Sequence, residues 1–259
     1  MPDIMAAELR KLRTSRSTKV VLIVLAGFTA LMPLLAWSFA STWDSLPPEA
    51  RAHSSLGSLP ELLGWVCPLF MAVFGTVAIS SEYASGMIRT TFVAMPGRGL
   101  VLGAKALGVS AITFVSVLLA LVLTELSVAF VIGSRSIAGQ VPFDGRQVVL
   151  IVALAASAAM FALMGLSVGA LTRSGPTSIG VIAMLWYVAP LIAQHVPQPW
   201  GVWASSLMPG ALAGQVSGTG NSDSVFAAAL PPFIALLALV AYSIGPLALA
   251  WVGVSRHDV

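Results

Sequence analysis

"VVLIVALAASAAMFALMGLSVGALTRSGPTSIGVIAMLWYVAPLIAQH", Val148–His195, holds two long apolar runs divided by one short polar stretch, Thr172–Ser178. Crossing the hydrocarbon of a bilayer takes about 20 apolar residues in a helix, at about 1.5 Å of rise each. Runs near Val148–Leu171 and Pro176–His195 both qualify, and "TRSGPTS" between them is a tight turn. Ser174 is placed to cap the second helix and Pro176 suits its first turn. The first helix carries "GLSVG", a Gly165/Gly169 small-xxx-small pair that lets helix backbones approach closely. Such a helix belongs at the centre of its own bundle or along a dimer seam.

Four further runs have spanning length, near Val20–Ala40, Pro60–Ser80, Ala106–Gly133 and Pro231–Val254. Of the 259 residues 58% are hydrophobic and 9% charged, whereas soluble domains carry about 25% charged residues. Most of the chain must therefore face lipid or other lipid-buried segments. Outer-membrane barrels alternate over segments of about 10 residues, and the continuous runs here exclude that pattern. The expected fold is a single all-α polytopic transmembrane domain, 1–259, with six transmembrane helices. Pro33, Pro190 and Pro246 lie inside runs and are expected to kink them. The first run is too long for the 7–15-residue core of a signal peptide and is read as a retained helix.

Lysine and arginine set the orientation. With the N-terminus inside, ten of them are cytoplasmic: Arg10, Lys11, Arg13, Arg16, Lys19, Arg89, Arg98, Lys105, Arg173 and Arg256. Only Arg51, Arg135 and Arg146 are outside. Both termini are thus expected in the cytoplasm.

Three segments do not span. In residues 1–19, Ile4, Met5, Leu9 and Leu12 fall on one side of a helix and Arg10, Lys11 and Arg13 largely elsewhere. That is an amphipathic helix lying on the inner membrane surface. Residues 196–230 hold Trp200, Trp203, Leu207 and Met208 with a single charge, Asp223, which suits an extracytoplasmic re-entrant or interfacial element. Residues 80–99, "SSEYASGMIRTTFVAMPGRG", are expected to form a short cytoplasmic helix. Ser80 or Ser81 caps it, Ile88, Phe92 and Met95 give it an apolar face, and Pro96-Gly97 ends it. Nothing in the chain offers such a knob a socket, so it points to a cytoplasmic partner.

Several chemistries are missing. "GRGLVLGAK", Gly97–Lys105, is the nearest approach to a phosphate-binding loop, but it follows no strand and has no Ser/Thr after the lysine. ATP use, if any, belongs to another chain. His53, His195 and His257 are scattered, no residues have metal-ligand spacing, and Cys67 sits in an apolar run as an inert buried thiol. No basic face interleaved with aromatics suggests nucleic acid. Glu125, in "LVLTELSVAF", is the one strong intramembrane charge. It reads as a cavity contact, a structural partner for a neighbouring polar group, or a proton relay.

The motif Glu82-Tyr83-x-x-Gly86, followed by Pro96 and Arg98, resembles the segment after the second span in ABC transporter permeases of the type-2 exporter class. Met87 replaces that family's usual threonine, and arginine follows proline by two residues rather than three. "ELRKLRTSRST", Glu8–Thr18, is similar to the family's N-terminal interface helix. The resemblance implies a coupling helix at Glu82, Tyr83, Gly86, Ile88, Arg89, Phe92, Pro96 and Arg98, and an interface helix using Glu8, Leu9, Lys11, Leu12 and Arg13. It implies two copies of a cytoplasmic ATP-binding cassette subunit carrying ATP and Mg, with no cofactor in this chain. It further implies pairing with a second permease copy or a sister permease in a bacterial cytoplasmic (inner/plasma) membrane. Family cargoes include drugs, lipids and glycoconjugates, and Phe70, Phe74, Glu125 and Trp186 are the candidate wall residues. Two other readings remain: a membrane scaffold or sensor that binds an ATPase without transport, and an ion-coupled carrier using Glu125.

Overall fold

The computed structural model describes residues 2–87, 98–135, 137, 144–219 and 230–256. Among these the regular elements are all helices. An amphipathic helix α1 (Pro2–Thr14) leads into α2 (Arg16–Ser45), the first span. The corner at Ser15 is closed by Thr18, whose Oγ1 donates to the Leu12 carbonyl at 2.6 Å. A five-residue helix α3 (Pro48–Ala52) precedes the second span, α4 (Leu59–Ala84). The third and fourth spans are α5 (Arg98–Ile132) and α6 (Gly145–Thr172). The fifth comprises α7 (Gly175–Ala183), a π-helical turn (Met184–Val188) and α8 (Ala189–Gln194). Two short helices, α9 (Trp200–Leu207) and α10 (Leu212–Ser217), precede the sixth, α11 (Pro232–Arg256). Six helices are thus long and apolar enough to cross a membrane.

The sequence-based boundaries need three corrections. The second span does not stop at Ser80 to let a capped helix begin. It runs on to Ala84, with Ser85 as its C-cap and Gly86 at φ +68° turning the chain. Nothing between Ile79 and Ser85 breaks a helix, and Glu82 finds buried partners. The third span starts at Arg98, about two turns before Ala106, because Lys105 is neutralised inside the bundle. At the fifth span Ser174 is the N-cap residue and Pro176 lies in the first turn, but the serine side chain caps no backbone N–H; its oxygen accepts from the Thr177 hydroxyl instead. Pro33 and Pro246, and Pro68 as well, sit inside unbroken helices. Only upstream of Pro190 does the helical register widen, at Met184–Val188. Proline lacks an N–H and crowds the carbonyl four residues back, here that of Trp186.

The core is the contact between α4 and α6, the two most buried spans. A Cβ at Gly75 would lie 1.9 Å from the Ala162 carbonyl oxygen, and one at Gly165 would lie 2.1 Å from that of Ala72. Thr76 Oγ1 donates across the seam to the Gly165 carbonyl at 3.1 Å. In lipid, where helix association gains nothing from apolar surface as such, close packing of this kind holds the helices together. The Gly165/Gly169 pair therefore serves the chain's own bundle. The first and sixth spans are the least buried and present most of their apolar side chains outward. At one end, α10 packs against α6 and α11 through buried Leu212 and Ala213. Buried Gln215 organises this end. Its Nε2 donates to the Ser206 and Ala211 carbonyls (2.8 and 3.2 Å), and its Oε1 accepts from the Leu230 N–H at 2.8 Å.

Replacing Gly75 or Gly165 with valine is expected to cost about 1–3 kcal/mol or more by overpacking backbone against backbone, seen as loss of a monodisperse, cooperatively melting species in detergent. Gly27→Ala, at a site with nothing within 4 Å, is expected to melt at or slightly above wild type. Equal melting of all the variants would disprove the seam.

Candidate functional site

Glu8 and Lys11 lie one turn apart on α1. Glu82 is in the last turn of α4, and Lys105 is two turns into α5. These four side chains converge at one end of the bundle. Lys105 Nζ donates to Glu8 Oε2 at 2.8 Å and to Glu82 Oε1 at 2.9 Å. Lys11 pairs with the same Glu82 oxygen from the more open side. Lys105 is 1% exposed and Glu82 3%. Two acids and two bases leave the cluster neutral, which is what lets Glu8, Glu82 and Lys105 sit in the interior with Lys11 at the edge. An unpaired ion there would cost several kcal/mol in lost hydration.

Apolar contacts hold the same helix in place. Leu12 is buried against α5 at Gly108, where a Cβ would stand 2.7 Å from Leu12 Cδ1. Met5 faces outward, and Leu9, though 40% exposed, also reaches Gly108, its Cδ2 3.6 Å from where a Cβ would stand. The side of α1 toward the bundle thus carries Glu8, Lys11 and Leu12 with Leu9 at its edge, whereas the sequence pattern groups Leu12 with Ile4, Met5 and Leu9. Arg13 is exposed. The interior place of Glu8 depends on Lys105 lying opposite it in the fold, which no local pattern in α1 signals.

Tyr83, next to Glu82, turns the other way. The guanidinium of Arg173, from the turn after α6, lies 5.8 Å from its ring centroid. Trp251 in α11 packs close to Gly99 at the start of α5, and Leu171 packs beside Gly253. The start of α5 and the ends of α4, α6 and α11 thus share one face with α1. The opposite face is fastened differently. Arg135 donates from Nε and Nη2 to the Asp44 carboxylate at 3.0 and 2.8 Å. Arg51 bonds the Trp43 and Asp44 carbonyls and lies over the Trp43 ring. The hydrogen bonds that Arg135 donates to the Asp44 carboxylate push its guanidinium above its ordinary pKa.

Of the residues that the resemblance marks for coupling, Glu82 is buried in the ionic cluster, Tyr83 stacks with Arg173, and Gly86 makes the left-handed turn. Ile88, Arg89, Phe92 and Pro96 lie outside the described residues, and Arg98 is described only as the first residue of α5. The four candidate cargo contacts occupy separate environments. Phe74 is a core side chain, 1% exposed. Trp186 is buried edge-on against Phe161, with ring centroids 4.7 Å apart. Phe70 is half-buried beside Phe28 in a crevice between α2 and α4. Glu125 accepts from Gln147 Nε2 at 3.2 Å, a partnership with a polar side chain on the neighbouring span.

No protein-family model matches this sequence, and no curated protein is significantly similar to it.

Removing one member of a buried charge network leaves the others uncompensated, at a cost of about 3–5 kcal/mol. Lys105→Met is therefore expected to lower thermal stability in detergent sharply. The double variant Lys105→Met/Glu8→Gln is expected to recover part of that loss, with a coupling of at least about 1 kcal/mol. Strict additivity in this cycle would show that the two groups do not interact.

Proposed function

We propose that this multi-pass all-α membrane protein, whose architecture is consistent with transport, is the membrane-spanning subunit of an ATP-driven exporter of the type-2 ABC class. In this reading the face carrying α1 is cytoplasmic, the membrane is a bacterial inner or plasma membrane, and a second permease copy completes the path. Two separate ATP-binding cassette subunits bind ATP and Mg and do the hydrolysis. An apolar or amphiphilic cargo moves outward.

The observation carrying this proposal is the buried cluster that joins an amphipathic N-terminal helix to the second and third spans, just where the chain between them emerges. A partner can drive a membrane domain only through contacts that differ between its states. Force applied to α1, or to the segment after Gly86, reaches both spans because separating buried opposite charges costs several kcal/mol. The three helices then move as one body. Glu82 acts here as a positioning residue inside that body, and the contact surface for the ATPase is the exposed side of α1 with the segment following Gly86.

Gentle detergent extraction of the complex from its native membranes is expected to bring down an ATPase subunit. Inverted vesicles containing both are expected to accumulate an amphiphile when ATP is added. Gly86→Pro, which the φ of +68° at that position forbids, is expected to lower uptake at least about tenfold while the protein stays in the membrane and keeps its melting behaviour. ATPase binding without uptake would favour a scaffold, and uptake by the isolated chain under an ion gradient would favour a carrier; either result overturns the proposal.

A further inference from the structure

A second feature of the α1 face lies on the other side of the second span. The last turns of α4 and the turn between α6 and α7 line an open groove of about 850 Å³. Its lining includes Ser80, Ser81, Tyr83, Ser85, Arg173 and Ser174. Backbone and aromatic contacts fix the position of Arg173. It ends α6 in the left-handed conformation (φ 55°), its N–H bonds the Gly169 carbonyl at 3.0 Å, and its guanidinium lies against the Tyr83 ring. No carboxylate of a described residue pairs with it. Glu82, between the lining residues Ser81 and Tyr83, points to the opposite side of α4 and is engaged by Lys105 and Lys11. The lining residues therefore bring a positive charge and no negative one. The hydroxyls of Ser80 and Ser81 donate to no described residue, although both line the groove.

An arginine with donors to spare, hydroxyls beside it and no competing acid is the chemistry that holds phosphate, because guanidinium forks match its oxygens. Basic pockets between spans at the charged end of a membrane protein hold lipid headgroups in the same way. The volume lies within the range of organic-ligand pockets and far exceeds a bare ion. We propose that this groove is a binding site for the phosphate group of an amphiphile, held by Arg173 with help from Ser80 and Ser81. The site needs no ATPase, so it stands or falls independently of the exporter reading.

The test is native mass spectrometry of the full-length chain, titrated with phosphatidylglycerol, with phosphatidylcholine, and separately with inorganic phosphate. Wild type is expected to retain one phosphate-bearing ligand more than Arg173→Gln, with affinity roughly tenfold lower in the variant, as expected for loss of a charged hydrogen bond. Arg173→Lys is expected to fall between them. Retention of lipid alone identifies a headgroup as the source of the phosphate, and displacement of lipid by inorganic phosphate identifies the free ion; both support phosphate recognition. Arg146→Gln, which removes a charge outside the groove, is expected to change nothing. If Arg173→Gln does not fold, Ser81→Glu places a carboxylate in the groove at an exposed position and is expected to give the same loss. Unchanged retention in Arg173→Gln or Ser81→Glu, or an equal loss in Arg146→Gln, overturns the proposal.

Discussion

One ammonium group holds the α1 face together. Lys105 lies in the interior and is bonded to carboxylates from two other helices, Glu8 of α1 and Glu82 of α4. Such a cluster need not add much net stability, because the hydration lost by the ions offsets much of their attraction. What it does is specify. Any arrangement that withdraws one member strands a charge, so α1, the end of the second span and the start of the third share one register. Lys11 completes neutrality from the open side. Replacing the whole cluster with apolar side chains would remove the penalty that enforces this shared register.

The two faces of the bundle are joined by bonds of unequal strength. At the α1 face Glu8, Glu82 and Lys105 are buried, and solvent and salt reach them poorly. At the other face the Arg135–Asp44 pair is open to water, where such pairs contribute about 0–1 kcal/mol and weaken with salt. Between them the α4–α6 seam is packed backbone to backbone and tolerates little change in spacing.

Polar groups elsewhere follow the same logic on a smaller scale. Gln215 uses both ends of its amide to tie α10 to α9 and to the start of the sixth span. It substitutes for the regular ladder that two short, broken helices cannot supply. Thr18 does this at the α1–α2 corner and Thr76 across the central seam. In each case one buried side chain satisfies backbone carbonyls where helices change direction or meet.

The sequence by itself determined the class of fold, the number of spans and their approximate places. Lipid demands about 20 apolar residues per crossing, and that demand is written in local composition. The amphipathic first helix, the Gly165/Gly169 approach and the turn at Thr172–Ser178 were legible for the same reason: each depends on neighbours within a few residues. Tertiary structure alone decided where the charges went. Glu8, Glu82 and Lys105 are each ordinary polar residues near helix ends when read along the chain, and 97 residues separate Glu8 from Lys105. Only folding brings them within hydrogen-bond distance, and only that pairing explains why α4 continues past Ser80 and α5 begins at Arg98. The groove beside Arg173 was equally hidden, since its walls come from turns about 90 residues apart and no local pattern marks a void.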